Sequence, residues 1–135
     1  MALPNGAGGY QLGDGNRSET IMGAASEPQT ATSTATLTAA QILGGMLYAN
    51  PSTSAATYTL PTAAAIDSAL PSATVGSTFD LFIINVGTSS GAVTLSMGTG
   101  ITDGGNAAVA VAITASAAFL FRKTGDAAWS VYKIA

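Results

Sequence analysis

Phe79-Asp80-Leu81-Phe82-Ile83-Ile84-Asn85-Val86 (FDLFIINV) is the strongest strand signal in the chain. Successive side chains of a strand point to opposite faces. One face therefore carries Phe79, Leu81 and Ile83, and the other carries Phe82, Ile84 and Val86. A strand that is apolar on both sides either lies covered at the centre of a sheet or turns one face to a subunit interface. Asp80 breaks the run. It sits at a sheet edge or pairs with a base such as Arg122.

Toward the C-terminus, Gly87 to Gly91 reads as a loop and Val93-Thr94-Leu95 as the returning strand of a hairpin. Gly98 to Asn106 is a Gly-rich turn region. Val109, Val111 and Ile113 alternate with Ala, which predicts a strand. Ser116 to Lys123 (SAAFLFRK) and Trp129 to Ile134 (WSVYKI) form a terminal hairpin closed through Thr124-Gly125-Asp126.

Toward the N-terminus, Val75-Gly76 is a turn, and Pro61-Thr62 opens a helix over Ala63 to Leu70. Thr62 is its N-cap, Ile66 and Leu70 lie one turn apart, and Pro71 stops it. So short a helix is unstable alone and must dock its Ala63/Ile66/Leu70 face on a sheet. Ala56 to Leu60 (ATYTL) is a strand preceded by the Asn50-Pro51-Ser52 turn. MLYA (46–49) is a further strand, AAQIL (39–43) before Gly44-Gly45 is a short helical turn, and TATSTATLT (30–38) alternates like a strand. No internal repeat is read. Many short strands separated by Gly/Asn/Ser turns predict a mainly all-β body, an antiparallel β-sandwich or jelly roll with one short helix.

Residues 1–29 have a different texture, with glycine at 6, 8, 9, 13, 15 and 23 and no sustained apolar period. Glycine carries the largest backbone entropy cost on ordering, so this segment does not fold by itself. The division expected is an extended N-terminal arm over 1–29 and a body over 30–135. Leu3, Tyr10, Leu12, Ile21 and Met22 are spaced along the arm as apolar anchors that suit contact with a partner surface.

Composition narrows the function. Only 8% of the 135 residues are charged and the net charge is −3, against about 25% charged in an average soluble domain. Four basic residues are too few to displace condensed counterions, so nucleic acid is not an expected partner. The apolar runs are short and interrupted, so a membrane span is not expected, and Met1 to Tyr10 shows no signal-peptide pattern. A neutral surface rich in small residues suits close packing against other chains.

Catalytic signals are sparse. Without His and Cys, the commonest general base, metal ligand and thiol nucleophile are all missing. The carboxylates Asp14, Glu19, Glu27, Asp67, Asp80, Asp103 and Asp126 are scattered singly. Asp103-Gly104-Gly105-Asn106 reads as a turn before it reads as a calcium loop. Arg122-Lys123 reads as a solvated strand end. Neither an enzyme, a cofactor, a metal site nor a small-molecule substrate is expected.

The stretch from Ala35 to Asn85, with Leu37-Thr38-Ala39-Ala40-Gln41 before Gly44-Gly45, then Ala56-Thr57-Tyr58-Thr59-Leu60-Pro61-Thr62-Ala63 and Val75-Gly76 before Phe79, resembles a module of tailed-bacteriophage virion proteins. Gly91 to Gly100 and the aromatic C-terminal hairpin fit it. Ala2-Leu3-Pro4-Asn5-Gly6 through Gly9-Tyr10-Gln11-Leu12-Gly13-Asp14-Gly15-Asn16 is similar to the start of small structural proteins of cyanophage-like viruses. The resemblance implies a capsid decoration (cement) protein. Such a protein sits as a homotrimer on the outer capsid surface of a virion assembled in the bacterial cytoplasm, with the arm bound to the major capsid protein. A tail-fibre or head-fibre module for host attachment is the alternative it implies.

Overall fold

The computed structural model describes residues 24–135. The elements run β1 (Gln29–Ala31), β2 (Ala35–Thr36), α1 (Ala39–Leu43), β3 (Met46–Ala49), β4 (Ala56–Thr59), α2 (Ala63–Ala69), β5 (Thr78–Asn85), β6 (Val93–Ser96), β7 (Ile101–Gly105), β8 (Ser116–Gly125) and β9 (Ala128–Lys133). The fold is mostly β, as expected, with two helices. Its sheet begins at Gln29, one residue before the expected start of the body.

Two sheets are present, a six-stranded one ordered β1-β3-β5-β8-β9-β7 and a three-stranded one ordered β2-β4-β6. The chain alternates between them. From β1 it crosses to β2, returns through α1 to β3, crosses to β4, returns through α2 to β5, and crosses again to β6. Because every return lands beside the previous strand in the same direction, β1, β3 and β5 are parallel, and so are β2, β4 and β6. The result is a three-turn parallel coil. β8 and β9 then extend the large sheet antiparallel from β5, and β7 lies parallel on β9.

The purely antiparallel arrangement and the single helix are thus corrected, and a jelly-roll sandwich is not borne out. Parallel neighbours need crossovers that leave the sheet, and two short capped helices provide them. AAQIL is a full α-helix with a capping box: Gln41 N–H donates to Thr38 Oγ1 (3.2 Å) and Thr38 N–H donates to Gln41 Oε1 (2.9 Å). Thr62 caps α2 in the expected way, accepting from Ala65 N–H at 3.1 Å. Gln41 Nε2 also donates to the Thr30 carbonyl, fastening α1 to β1.

The coil holds a repeat that the sequence reading missed. Thr36-Leu37-Thr38-Ala39-Ala40-Gln41-Ile42 and Thr59-Leu60-Pro61-Thr62-Ala63-Ala64-Ala65-Ile66 occupy equivalent places. Thr36 registers on Thr59, Leu37 N–H donates to the Thr59 carbonyl (2.7 Å), and Leu60 N–H donates to the Ser96 carbonyl (2.8 Å). Leu37, Leu60, Ile42 and Ile66 are all buried. Turn lengths differ between coils, so Ala35 stacks on Tyr58 while Ala56 stacks on Val93, and no fixed period shows in the sequence.

Four further expectations change. β6 does not return against β5 as a hairpin; it pairs parallel with β4. The Gly98–Asn106 region contains β7. Of the Val109–Ile113 stretch, only Val111 bridges, to Val93. The terminal hairpin forms, but Gly125 pairs with Ala128, leaving Asp126 and Ala127 as its loop.

One core cluster joins both sheets and both helices. The large sheet contributes Leu47, Leu81, Ile83, Phe119, Phe121, Trp129 and Val131, and the small sheet contributes Tyr58, Val93 and Leu95, with Leu60 just past β4. Each fully buried aliphatic or phenyl side chain is worth about 1.5–3 kcal/mol. Phe79 stacks on Phe121 at 4.7 Å and meets Trp129 edge-on at 5.4 Å. As expected, α2 buries Ala63 and Ile66, and Leu70 packs against the core.

Candidate functional site

β5 answers the question posed by its two apolar faces. Leu81, Ile83 and Asn85 point into the core, whereas Phe82 (47% exposed) and Val86 (45%) point outward, with Ile84 half-buried between them. The registers extend that open face across the sheet. Met46 lies beside Phe82 and Tyr48 beside Ile84 on one flank, and Ala118 lies beside Phe82 on the other. Leu120 and Tyr132 continue it toward β9. Ile134, 63% exposed, is tied to this face by its N–H, which donates to the Ala118 carbonyl.

The chemistry of this face is simple. Among the described residues it carries one side-chain carboxylate, Asp80, and one guanidinium, Arg122, both exposed. Asp80 registers on Leu120 and Arg122 on Thr78, so the two are diagonal neighbours on adjacent strands. They form no ion pair with each other; the described residues hold a single ion pair, which is elsewhere. Asp80 is therefore neither at a sheet edge nor paired with Arg122. A hollow of about 310 Å³, lined in part by Met46, Phe82, Ile84 and Ala118, is set into the same face.

Several of the other charged and polar groups hold the fold together. Lys123 points inward from β8 and is buried, contrary to the solvated strand end expected for it. Asp67 on α2 neutralises it, and also accepts from Trp129 Nε1 (2.8 Å) and from the Ala127 N–H (2.8 Å). Hydrogen bonds from Lys123 and Trp129 hold the Asp67 carboxyl below the usual carboxylate range. The Asp103 carboxylate accepts from the N–H groups of Gly105, Ala107 and Ala108. These bonds lower its pKa, led by that from Ala107. Its oxygens are engaged by the turn that the sequence suggested, and among the described residues no group of three His, Cys, Asp or Glu side chains gathers.

Two buried polar groups are fully satisfied. Asn85 Nδ2 donates to the carbonyls of Gly91 (2.8 Å) and Val111 (2.9 Å), and its Oδ1 accepts from Gly87 N–H (2.8 Å). The Tyr58 hydroxyl lies 2.9 Å from the Ala31 carbonyl and 3.0 Å from that of Thr32, donating to this pair, and burial raises its pKa. Asn85 binds the β5–β6 crossing, and Tyr58 binds the β1–β2 crossing.

The arm residues Leu3, Tyr10, Leu12, Ile21 and Met22 lie outside the described residues. The outward residues of β3, β8 and β9 were not singled out from sequence. Their signal was the double-sided apolar pattern of β5, but their alignment beside it depends on strand order. Comparison with family models, with curated proteins and with solved structures found no match to this chain. No described helix is long and apolar enough to cross a membrane.

Proposed function

We propose that this chain is a non-enzymatic structural protein of a bacteriophage virion, decorating and stabilising the outside of the capsid. The observation that carries this reading is an apolar, nearly uncharged sheet face left open on a two-sheet body. Large exposed apolar patches mark interaction surfaces, and a chain with 8% charged residues has little else to keep it soluble alone. The resemblance of Ala35–Asn85 and of the opening residues to phage virion proteins supports reading that assembly as a phage virion.

In this reading the body self-associates as a trimer, and the arm, through Leu3, Tyr10, Leu12, Ile21 and Met22, binds the major capsid protein. An arm that orders only on the assembled lattice exchanges conformational entropy for specificity. Repetition over a symmetric shell turns weak contacts into stable binding.

Cryo-electron microscopy of the virion that carries the chain is the test. Hundreds of copies on the icosahedral shell are expected, with the arm lying on neighbouring capsid subunits. A few copies confined to the tail or a vertex would overturn capsid decoration in favour of attachment. Deleting residues 1–23, which spares β1, is expected to leave the body folded and to abolish capsid occupancy.

A further inference from the structure

We infer that the open face of the six-stranded sheet is covered by a second copy of this chain, with Asp80 of one copy paired to Arg122 of the other. The inference deepens the self-association in the proposed function by assigning it a surface, and it does not require the capsid.

Charge complementarity is the deciding observation. The face offers one side-chain carboxylate and one guanidinium on diagonal sites of β5 and β8, exposed and unpaired with each other among the described residues. A foreign partner would have to supply both an acid and a base at matching places. A second copy carries both, and in a symmetric interface a contact of Asp80 with the other copy's Arg122 is matched by the reciprocal contact of Arg122 with the other copy's Asp80. A two-fold or a three-fold axis beside the face brings Asp80 of one copy to Arg122 of the next. Arg and carboxylate can then meet bidentately, fixing the register of an otherwise apolar contact.

Shape and burial agree with this occupant. Phe82, Tyr48 and Ile134 project from the face, and the hollow bounded by Met46, Phe82, Ile84 and Ala118 lies among them. Projecting side chains and a receiving hollow on one surface are what self-complementary packing requires. Aromatic and Arg residues are also the side chains that dominate interface energetics.

The test is the mass of the purified full chain in solution, by sedimentation velocity across a concentration series, for the wild type and four variants. The wild type is expected to be a closed oligomer. Phe82→Lys and Ile134→Glu together should raise the dissociation constant at least about 100-fold, with circular dichroism unchanged because both side chains are already exposed. Asp80→Arg alone and Arg122→Asp alone should each weaken association by about 10-fold or more, and the double exchange Asp80→Arg/Arg122→Asp should restore it. A monomeric wild type, or an oligomer insensitive to these changes, overturns the inference. Restoration by the double exchange in a chain that fails to occupy capsids would leave the inference standing and remove the capsid reading.

Discussion

Asp67 on α2 and Lys123 on β8 meet as an ion pair where the second crossover of the coil touches the terminal hairpin. Lys123 occupies an inward position of its strand, and the Trp129 ring centroid lies 5.6 Å from its ammonium. A buried ammonium without a counter-ion is strongly unfavourable. Asp67 removes that penalty and, through the Trp129 indole and the Ala127 N–H, fastens both arms of the hairpin to the helix. The coil and the antiparallel hairpin are joined at this point by one carboxylate.

That carboxylate should make stability depend on acid. Its folded pKa is depressed by hydrogen bonds from Lys123 and Trp129, so its stabilising contribution is present above the unfolded value near 4. It is lost as pH falls through the lower folded value. Asp67→Asn should lower Tm at pH 7 and flatten the decline below about pH 4. Thermal melts across that range check it, and parallel curves for the two proteins would contradict the assignment.

Asn85 is expected to tolerate no charge. Its amide donates to two carbonyls in the buried β5–β6 crossing. Asn85→Asp would lose both donors and set an anion against those carbonyl oxygens. A loss of about 3 kcal/mol at neutral pH is expected, partly recovered in acid, where the protonated carboxyl donates once. Urea unfolding at pH 7 and pH 4 measures both effects.

Gly98 marks a close approach of backbones between coils. A Cβ there would lie 2.3 Å from the Pro61 carbonyl oxygen and 2.4 Å from that of Leu60, both backbone atoms, so the main chain itself would have to shift. Gly98→Ala should cost about 2–4 kcal/mol. Gly76, at φ +95° with open space around it, provides the contrast. Gly76→Ala is expected to cost only about 1–2 kcal/mol, from backbone strain alone.

Neighbouring residues of β5 should respond oppositely to truncation. Ile83 is fully buried, and Ile83→Ala should cost about 2–5 kcal/mol. Phe82 is larger but lies on the open face, so Phe82→Ala should change the stability of the dilute monomer by less than about 0.5 kcal/mol. Chemical denaturation at low protein concentration separates the two, and equal losses would mean that the open face is packed within the chain.

The sequence by itself determined the mainly β character, the FDLFIINV strand with its two apolar faces, the Thr62-capped helix and the terminal aromatic hairpin. Each is written in local terms, as alternation, a cap or a turn residue within a few positions. It also carried the two TL(P)T segments, yet unequal loops hid their equivalence. Tertiary structure alone decided that the strands coil in parallel, because pairing direction depends on where a crossover lands, not on the strand's own pattern. Only the folded chain set Asp67 against Lys123, turning a basic pair that looked solvated into one buried and one exposed residue. Strand order likewise brought Met46, Phe82, Ala118 and Leu120 onto one surface. Residues far apart in sequence become neighbours there through sheet hydrogen bonds, which no local pattern encodes.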